Sequence, residues 1–232
     1  MKTKKGEDAK QRIHDAAMRL FARKGYDAVG VREIAEEAGV QLSMINYYFG
    51  GKFGLLKSLL EEYHKLYFEA LGVTEKETLT APERVRISVR NLIELYRTHT
   101  ELAIAAMKTS GLDIPEMHEM QARSVAQRRQ GLNEHFARLG LDTDNAVQMS
   151  VVRGLLTTLI TAHFEAKFTW EQMFRSSKHV RLLEKQLLHE PEIEYDDAYY
   201  QRFGDMLTDL YLYGVTGMAE RHRADKTDDR KP

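Results

Sequence analysis

Apolar positions along this chain recur with a helical period almost from the start. Ile13, Ala16, Ala17, Leu20 and Phe21 stand at the i, i+3, i+4, i+7, i+8 spacing of one helical face, and Gly25 follows as a natural stop. Val31, Ile34, Ala35 and Ala38 repeat the pattern in a shorter segment closed by Gly39. Ile45, Tyr48 and Phe49 mark a third, short helix, and Phe53, Leu56, Leu59, Leu60, Tyr63 and Tyr67 a long fourth one. Beyond Gly72 the same reading predicts helices over 82–99, 101–110, 115–139, 143–167 and 197–221, with a further one over 178–189. Prolines stand only at 82, 115, 191 and 232, so long segments can run as helix without interruption. No alternating strand pattern competes, and the expected fold class is all-α.

The most informative stretch is Val31 to Lys52. Two helices of about seven residues, joined by Ala38, Gly39 and Val40, have the spacing of a helix-turn-helix, whose second helix enters the DNA major groove. Ala35 sits where the two helices approach most closely, Gly39 can take the left-handed conformation of a sharp turn, and Ile45 plugs the second helix into the small core. An ordinary helical hairpin is the plainer alternative.

Composition first argues against a nucleic-acid partner and then, taken locally, for one. The 232 residues carry 34 basic and 35 acidic side chains, a net charge of -1. Residues 1–60, however, hold eleven Lys or Arg against seven Asp or Glu, a balance of +4, which leaves -5 on the remainder. A basic reading head is thus joined to an acidic body. Lys2, Lys4, Lys5, Lys10 and Arg12 read either as a flexible arm that reaches phosphate or as a solvated tail. The absence of cysteine removes thiol catalysis, disulfides, zinc fingers and thiolate-held iron–sulfur clusters. No apolar run of signal-peptide length follows Met1 to Lys5, and none approaches the roughly 18 residues of a membrane span. A cytoplasmic protein is expected.

Ile13, Ala16, Ala17, Leu20, Phe21, Gly25, Val31, Ile34, Ala35, Ala38, Gly39, Val40, Ile45, Tyr47, Tyr48, Phe49, Lys52 and Leu55 fall at the positions that define the DNA-binding domain of the TetR family of bacterial transcription regulators. Over residues 10–60 the chain resembles that family closely, and the remainder resembles it in helical layout and length. Asn46 stands where many members have Tyr. The resemblance implies a three-helix DNA-binding domain over 1–60 and a larger helical effector-binding and dimerisation domain over 61–222; the charged run Glu220 to Pro232 reads as frayed or disordered, with a disordered tail over 223–232. Gln41, Leu42, Ser43, Met44, Asn46 and Tyr47 occupy the start and outward face of the recognition helix, where base edges and flanking phosphates come within reach. Arg32 and Lys52, at the starts of the flanking helices, bracket the groove as the family pattern implies.

One helix-turn-helix reads too few base pairs, so such modules work as dimers on palindromic operators. Val147 to Phe164 and Tyr199 to Met218 suit a dimer contact, and by family analogy the two helices of each subunit form a four-helix bundle. Val151, Leu155, Thr158, Phe203, Leu207, Leu210, Gly214 and Met218 are the candidate interface, with Gly154, Gly204, Gly214 and Gly217 allowing close backbone approach. Residues 168–195, with Trp170, make a long connection between them. The family's usual input is a small molecule. Tyr67, Leu92, Tyr96, Met107, Met120, Phe136 and Phe164 are candidate lining for an apolar or amphipathic effector, with Asn91, Arg90, His99, Arg128, Arg153 and His163 available to orient it. The expected function is a ligand-responsive repressor of transcription. A helical dimeric scaffold without specific DNA binding is the alternative. Neither a cofactor nor a metal is expected, and no enzyme: His118 with Glu119 and His163 with Glu165 lack the His-Glu-x-x-His spacing of a zinc hydrolase, and no P-loop or Gly-x-Ser-x-Gly occurs.

Overall fold

The apolar stripe at Ile13 reaches back to Ala9, and α1 accordingly runs Lys4–Lys24 in a computed structural model that describes residues 4–72, 79–109, 112–138, 141–177 and 193–228. Ala9, Ile13, Ala16, Ala17, Leu20 and Phe21 are all buried. The basic residues Lys4, Lys5, Lys10 and Arg12 therefore belong to a helix and not to a flexible arm; Lys2 lies outside the described residues. Then follow α2 (Val31–Ala38), α3 (Leu42–Phe49), α4 (Lys52–Gly72), α5 (Ala81–Thr98) and α6 (Thr100–Thr109). A 3-10 turn at Pro115–Met117 leads into α7 (His118–Arg138), and α8 (Ala146–Ser176) and α9 (Asp197–Asp228) complete the described elements, all of them helical.

Two compact units result, Met1–Tyr67 with Thr98–Ser124 and Phe68–Arg97 with Val125–Pro232. Compactness thus divides the chain elsewhere than at residue 60, because α6 packs on α1. Leu102 to Ala106 are buried in the first unit, and the Lys108 ammonium donates to the Ala22 carbonyl at 2.7 Å and the Arg23 carbonyl at 3.3 Å. A cation on the last carbonyls of α1 satisfies acceptors that the helix itself leaves open and complements its dipole. In the same unit His64 Nε2 lies 3.0 Å from Ser124 Oγ, tying α4 to α7.

In the second unit, Val85, Val89, Leu92, Ile93 and Tyr96 of α5, Met149, Val152, Ile160, Phe164 and Phe168 of α8, and Tyr200 and Tyr211 of α9 are buried. Asn145 caps α8, its side chain accepting from Gln148 N at 2.9 Å. The helix expected to stop near 167 continues to Ser176, because Phe168 extends the buried Ile160 and Phe164 by another four-residue step and Lys167 pairs with Glu171 at i+4. The connection expected over 168–195 is shorter by that amount. The helix expected over 178–189 lies outside the described residues. Glu220 to Asp228, expected to fray, are helical, and residues 229–232 lie outside the described residues.

Candidate nucleic-acid interface

The turn between α2 and α3 is built by backbone hydrogen bonding. Gly39 sits at φ 62°, ψ 43°, its N–H donating to the Glu36 carbonyl at 3.1 Å while Val40 N–H donates to that of Ala35 at 3.0 Å. This pair of bonds is the Schellman motif, which needs a left-handed residue and is why glycine stands there. Arg12 reinforces it from α1: its Nη1 donates to the Ala38 carbonyl at 3.0 Å, and its Nε pairs with Asp8 at 3.3 Å. Ile34, Ala35 and Ile45 are buried, so α3 is held by its inner face.

The opposite face of α3 is free for contact. Gln41, Leu42, Ser43, Asn46 and Tyr47 are exposed, Leu42 at 43% and Tyr47 at 81%, while Met44, Tyr48 and Phe49 are half-buried. Positions 42, 43, 46 and 47 recur at helical spacing and share one side. Tyr47 packs edge-on against Tyr48 with ring centres 4.9 Å apart, which limits the freedom it would lose on binding. Arg32 is exposed on the first turn of α2. Lys52, the first residue of α4, is half-buried with its ammonium 4.0 Å from the centre of the Tyr26 ring. Burial lowers its pKa, and Asp27 opposes that shift. The Tyr26 platform fixes where this cation sits.

Two of the three acids of α2 are paired with basic residues of α1. Glu33 pairs with Lys24, and Glu37 with Arg19 at 3.2 Å and Arg23 at 3.5 Å. Two contributors were not singled out from sequence as parts of the candidate interface. Arg12 was grouped with the arm, because its partners lie 26 and 27 positions away. Tyr26 carries no signal beyond being aromatic. At Gly54 an added Cβ would lie 1.7 Å from the Phe49 carbonyl oxygen, so α4 meets the end of α3 backbone to backbone. Gly50 at φ 71° and Gly51 at φ 110° make the turn that permits it.

The candidate effector residues fall in both units. Tyr67 is buried with its ring 6.0 Å from that of Tyr63, and Met107 and Met120 are half-buried, all in the first unit. Leu92, Tyr96, Phe136 and Phe164 are buried in the second, Tyr96 stacking on Phe164 at 5.6 Å and Phe136 lying 6.2 Å from Tyr211. Among the polar candidates, Asn91 already donates to the Ala70 carbonyl at 3.1 Å. His163 is ringed by Phe164, Tyr195, Tyr199, Tyr200 and Phe203 at 4.5–5.9 Å, with Nε2 buried and unpartnered. Burial, then Lys167, lowers its pKa. The Arg128 and Arg153 side chains lie outside the described residues.

Of the candidate dimer residues, Val151, Thr158, Leu210 and Gly214 are exposed, Leu155, Phe203 and Leu207 half-buried, and the Met218 side chain lies outside the described residues. Gly204 is explained within the chain, since a Cβ there would meet Ile93 Cδ1 at 3.2 Å. Gly154 and Gly214 face open space.

The profile of "Bacterial regulatory proteins, tetR family" matches residues 13–59, the segment from the core of α1 through the first half of α4. Residues 13–59 thus carry the TetR-family match. The similar proteins include the "Probable HTH-type transcriptional regulator YttP" of Bacillus subtilis (strain 168), 29% identical over 122 residues that cover 52% of this chain and 59% of that protein. The "Fatty acid metabolism regulator protein" of the same organism is 31% identical over 105 residues, covering 44% of this chain and 54% of that protein. The chain spans about half the length of these relatives. Solved structures extend the likeness of fold further along the chain. A TetR-family transcriptional regulator from Bordetella parapertussis 12822 has a TM-score of 0.68 at 15% identity, covering 88% of this chain and 93% of that one. FadR from Bacillus subtilis, solved in complex with stearoyl-CoA, has a TM-score of 0.61 at 20% identity, covering 88% and 98%. No helix among the described residues is long and apolar enough to cross a membrane.

Proposed function

We propose that this chain is a ligand-responsive, DNA-binding transcriptional regulator, a repressor that sits on a palindromic operator as a homodimer and is released by a small apolar or amphipathic effector. The observation that carries the reading is the recognition face of α3, exposed at Gln41, Leu42, Ser43, Asn46 and Tyr47 while Ile45 anchors the helix from behind. In this reading Gln41 and Asn46 pair with adenine edges, Leu42 and Met44 lie against thymine methyls, and Ser43, Tyr47, Arg32 and Lys52 hold phosphates. Backbone amides at the starts of α2 and α4 add further phosphate donors.

Residues 1–60 form the reading head, and the rest of the chain serves dimerisation and sensing. Such a regulator works in the cytoplasm and catalyses nothing. Effector binding changes the separation of the two recognition helices through α4, and coupling of about 1–3 kcal/mol would shift operator affinity roughly 5- to 150-fold. The stearoyl-CoA held by the FadR neighbour is of the amphipathic class the reading calls for.

The test is recovery of genomic fragments by the purified protein, with and without candidate effectors, compared with the Tyr47→Ala, Lys52→Ala double variant. The variant is expected to stay dimeric and lose specific retention. Equal retention by both proteins overturns the assignment of the interface, and absence of any retained fragment favours the scaffold. Affinity should fall by about 0.9 log units per log unit of salt for each phosphate neutralised.

A further inference from the structure

A cleft between α5 and α9 in the second unit encloses about 400 Å³, within the range of small-molecule sites, and its lining is polar where such sites are mostly apolar. Ile93 and Gly204 also line it, and an added Cβ on Gly204 would meet Ile93 Cδ1 at 3.2 Å. At one end Arg97 is fully occupied: it pairs with Asp197 at 2.5 Å and Glu94 at 3.4 Å, and lies 4.6 Å from the centre of the Tyr200 ring. Thr208 donates its hydroxyl to the Gly204 carbonyl at 2.7 Å. These groups close the cleft without serving a ligand.

Four other lining side chains are open to a ligand, although the charge of Arg86 also acts on Glu83, three residues before it. Arg86 and Arg90, one turn apart on α5, and Gln201 and Asp205, four residues apart on α9, are exposed and make no hydrogen bond or ion pair with another described residue. Two guanidiniums on adjacent turns of one wall repel each other mildly and present two planar forks to the same space. Guanidinium forks match carboxylate and phosphate oxygens two bonds at a time. The carboxylate and amide opposite them suit hydroxyl or amino hydrogens on the same molecule.

We propose that this cleft binds a small organic anion, a carboxylate or phosphate ester that also carries hydroxyl or amino groups, with Arg86 and Arg90 holding the anion and Asp205 and Gln201 its donors. None of the candidate DNA-contact residues and none of Leu92, Tyr96, Phe136 and Phe164 lines the cleft, although Tyr200 at its edge stacks on Phe164 at 5.5 Å. Its existence does not depend on DNA binding.

The experiment is calorimetric titration of the full-length protein with glycerol 3-phosphate, glutamate and inorganic phosphate at constant ionic strength, with glycerol and sodium chloride as controls. Glycerol 3-phosphate or glutamate should bind, glycerol should not, and Arg86→Gln with Arg90→Gln should weaken binding about tenfold or more. Asp205→Asn should weaken glycerol 3-phosphate or glutamate while leaving inorganic phosphate unchanged, and that split locates the donors. Arg90→Lys, which keeps the charge and loses the fork, supplies the answer if the double variant does not fold, with several-fold weaker binding expected. Equal binding by the arginine variants and the parent overturns the proposal. So does chloride competing as well as phosphate, or failure of both organic anions to bind.

Discussion

At the scale of single residues, the close approach at Gly54 is the most demanding glycine contact among the described residues of the helix-turn-helix segment. Any Cβ there must move the Phe49 carbonyl, so Gly54→Ala should destabilise the protein by about 1–3 kcal/mol, the usual cost of overpacking. Gly30 is the contrast. It precedes α2 in extended backbone, at φ -89° and ψ 151°, with nothing within 4 Å of an added Cβ and no side-chain cap. Gly30→Ser should gain a few tenths of a kcal/mol by capping α2. Urea denaturation of the two variants beside the parent separates the outcomes, and equal midpoints would refute the packing account.

Two histidines make a prediction for pH. His14 lies 3.2 Å from Glu62, and burial lowers its pKa more than Glu62 and Asp15 raise it; His163 is lowered by burial and by Lys167. Both bind a proton less readily folded than unfolded. Their contribution is therefore constant above the unfolded value near 6.5 and is lost as pH falls below it. Thermal midpoints should drop between pH 7 and 5.5, and His163→Phe should flatten that drop. A variant with the parent's slope would remove His163 from the explanation.

At the scale of elements, the docking of α6 on α1 depends on a residue whose partners lie about 85 positions away. Lys108→Met removes the cation from the Ala22 and Arg23 carbonyls and should cost about 1 kcal/mol. Chemical denaturation checks this, and Lys108→Arg should recover part of the loss. The short α2 and α3 were legible in sequence because each is bounded by a glycine that φ requires, Gly39 and Gly50. The end of α8 was not, since Thr169 and Trp170 are exposed and break the apolar stripe, while Phe168 continues it only through packing.

At the scale of the whole molecule, two apolar stripes remain uncovered in the single chain. Val147, Val151 and Thr158 of α8, and Met206, Leu210 and Tyr213 of α9, are exposed at helical spacing, and Gly154 and Gly214 beside them face open space. Contiguous apolar surface of this kind marks a partner site, and the proposed dimer would cover it. Val151→Glu with Leu210→Glu should give a monomer in sedimentation velocity with a far-ultraviolet spectrum like the parent's. Operator affinity should fall with it; a variant that stays dimeric would place the interface elsewhere.

The sequence by itself determined the helical class, the two-helix reading motif and the outward face of α3, because periodicity and turn glycines act over a few residues. Charge counted along the chain also separated a basic N-terminal segment from an acidic remainder. Tertiary structure alone decided that Arg12 braces the turn at Ala38, that Lys52 rests on Tyr26, and that α6 belongs with α1. It also decided that Arg86 and Arg90 face a cleft with Asp205. Each of those depends on groups that chain distance keeps far apart, and no local pattern in the sequence encodes which of many equivalent polar side chains will meet.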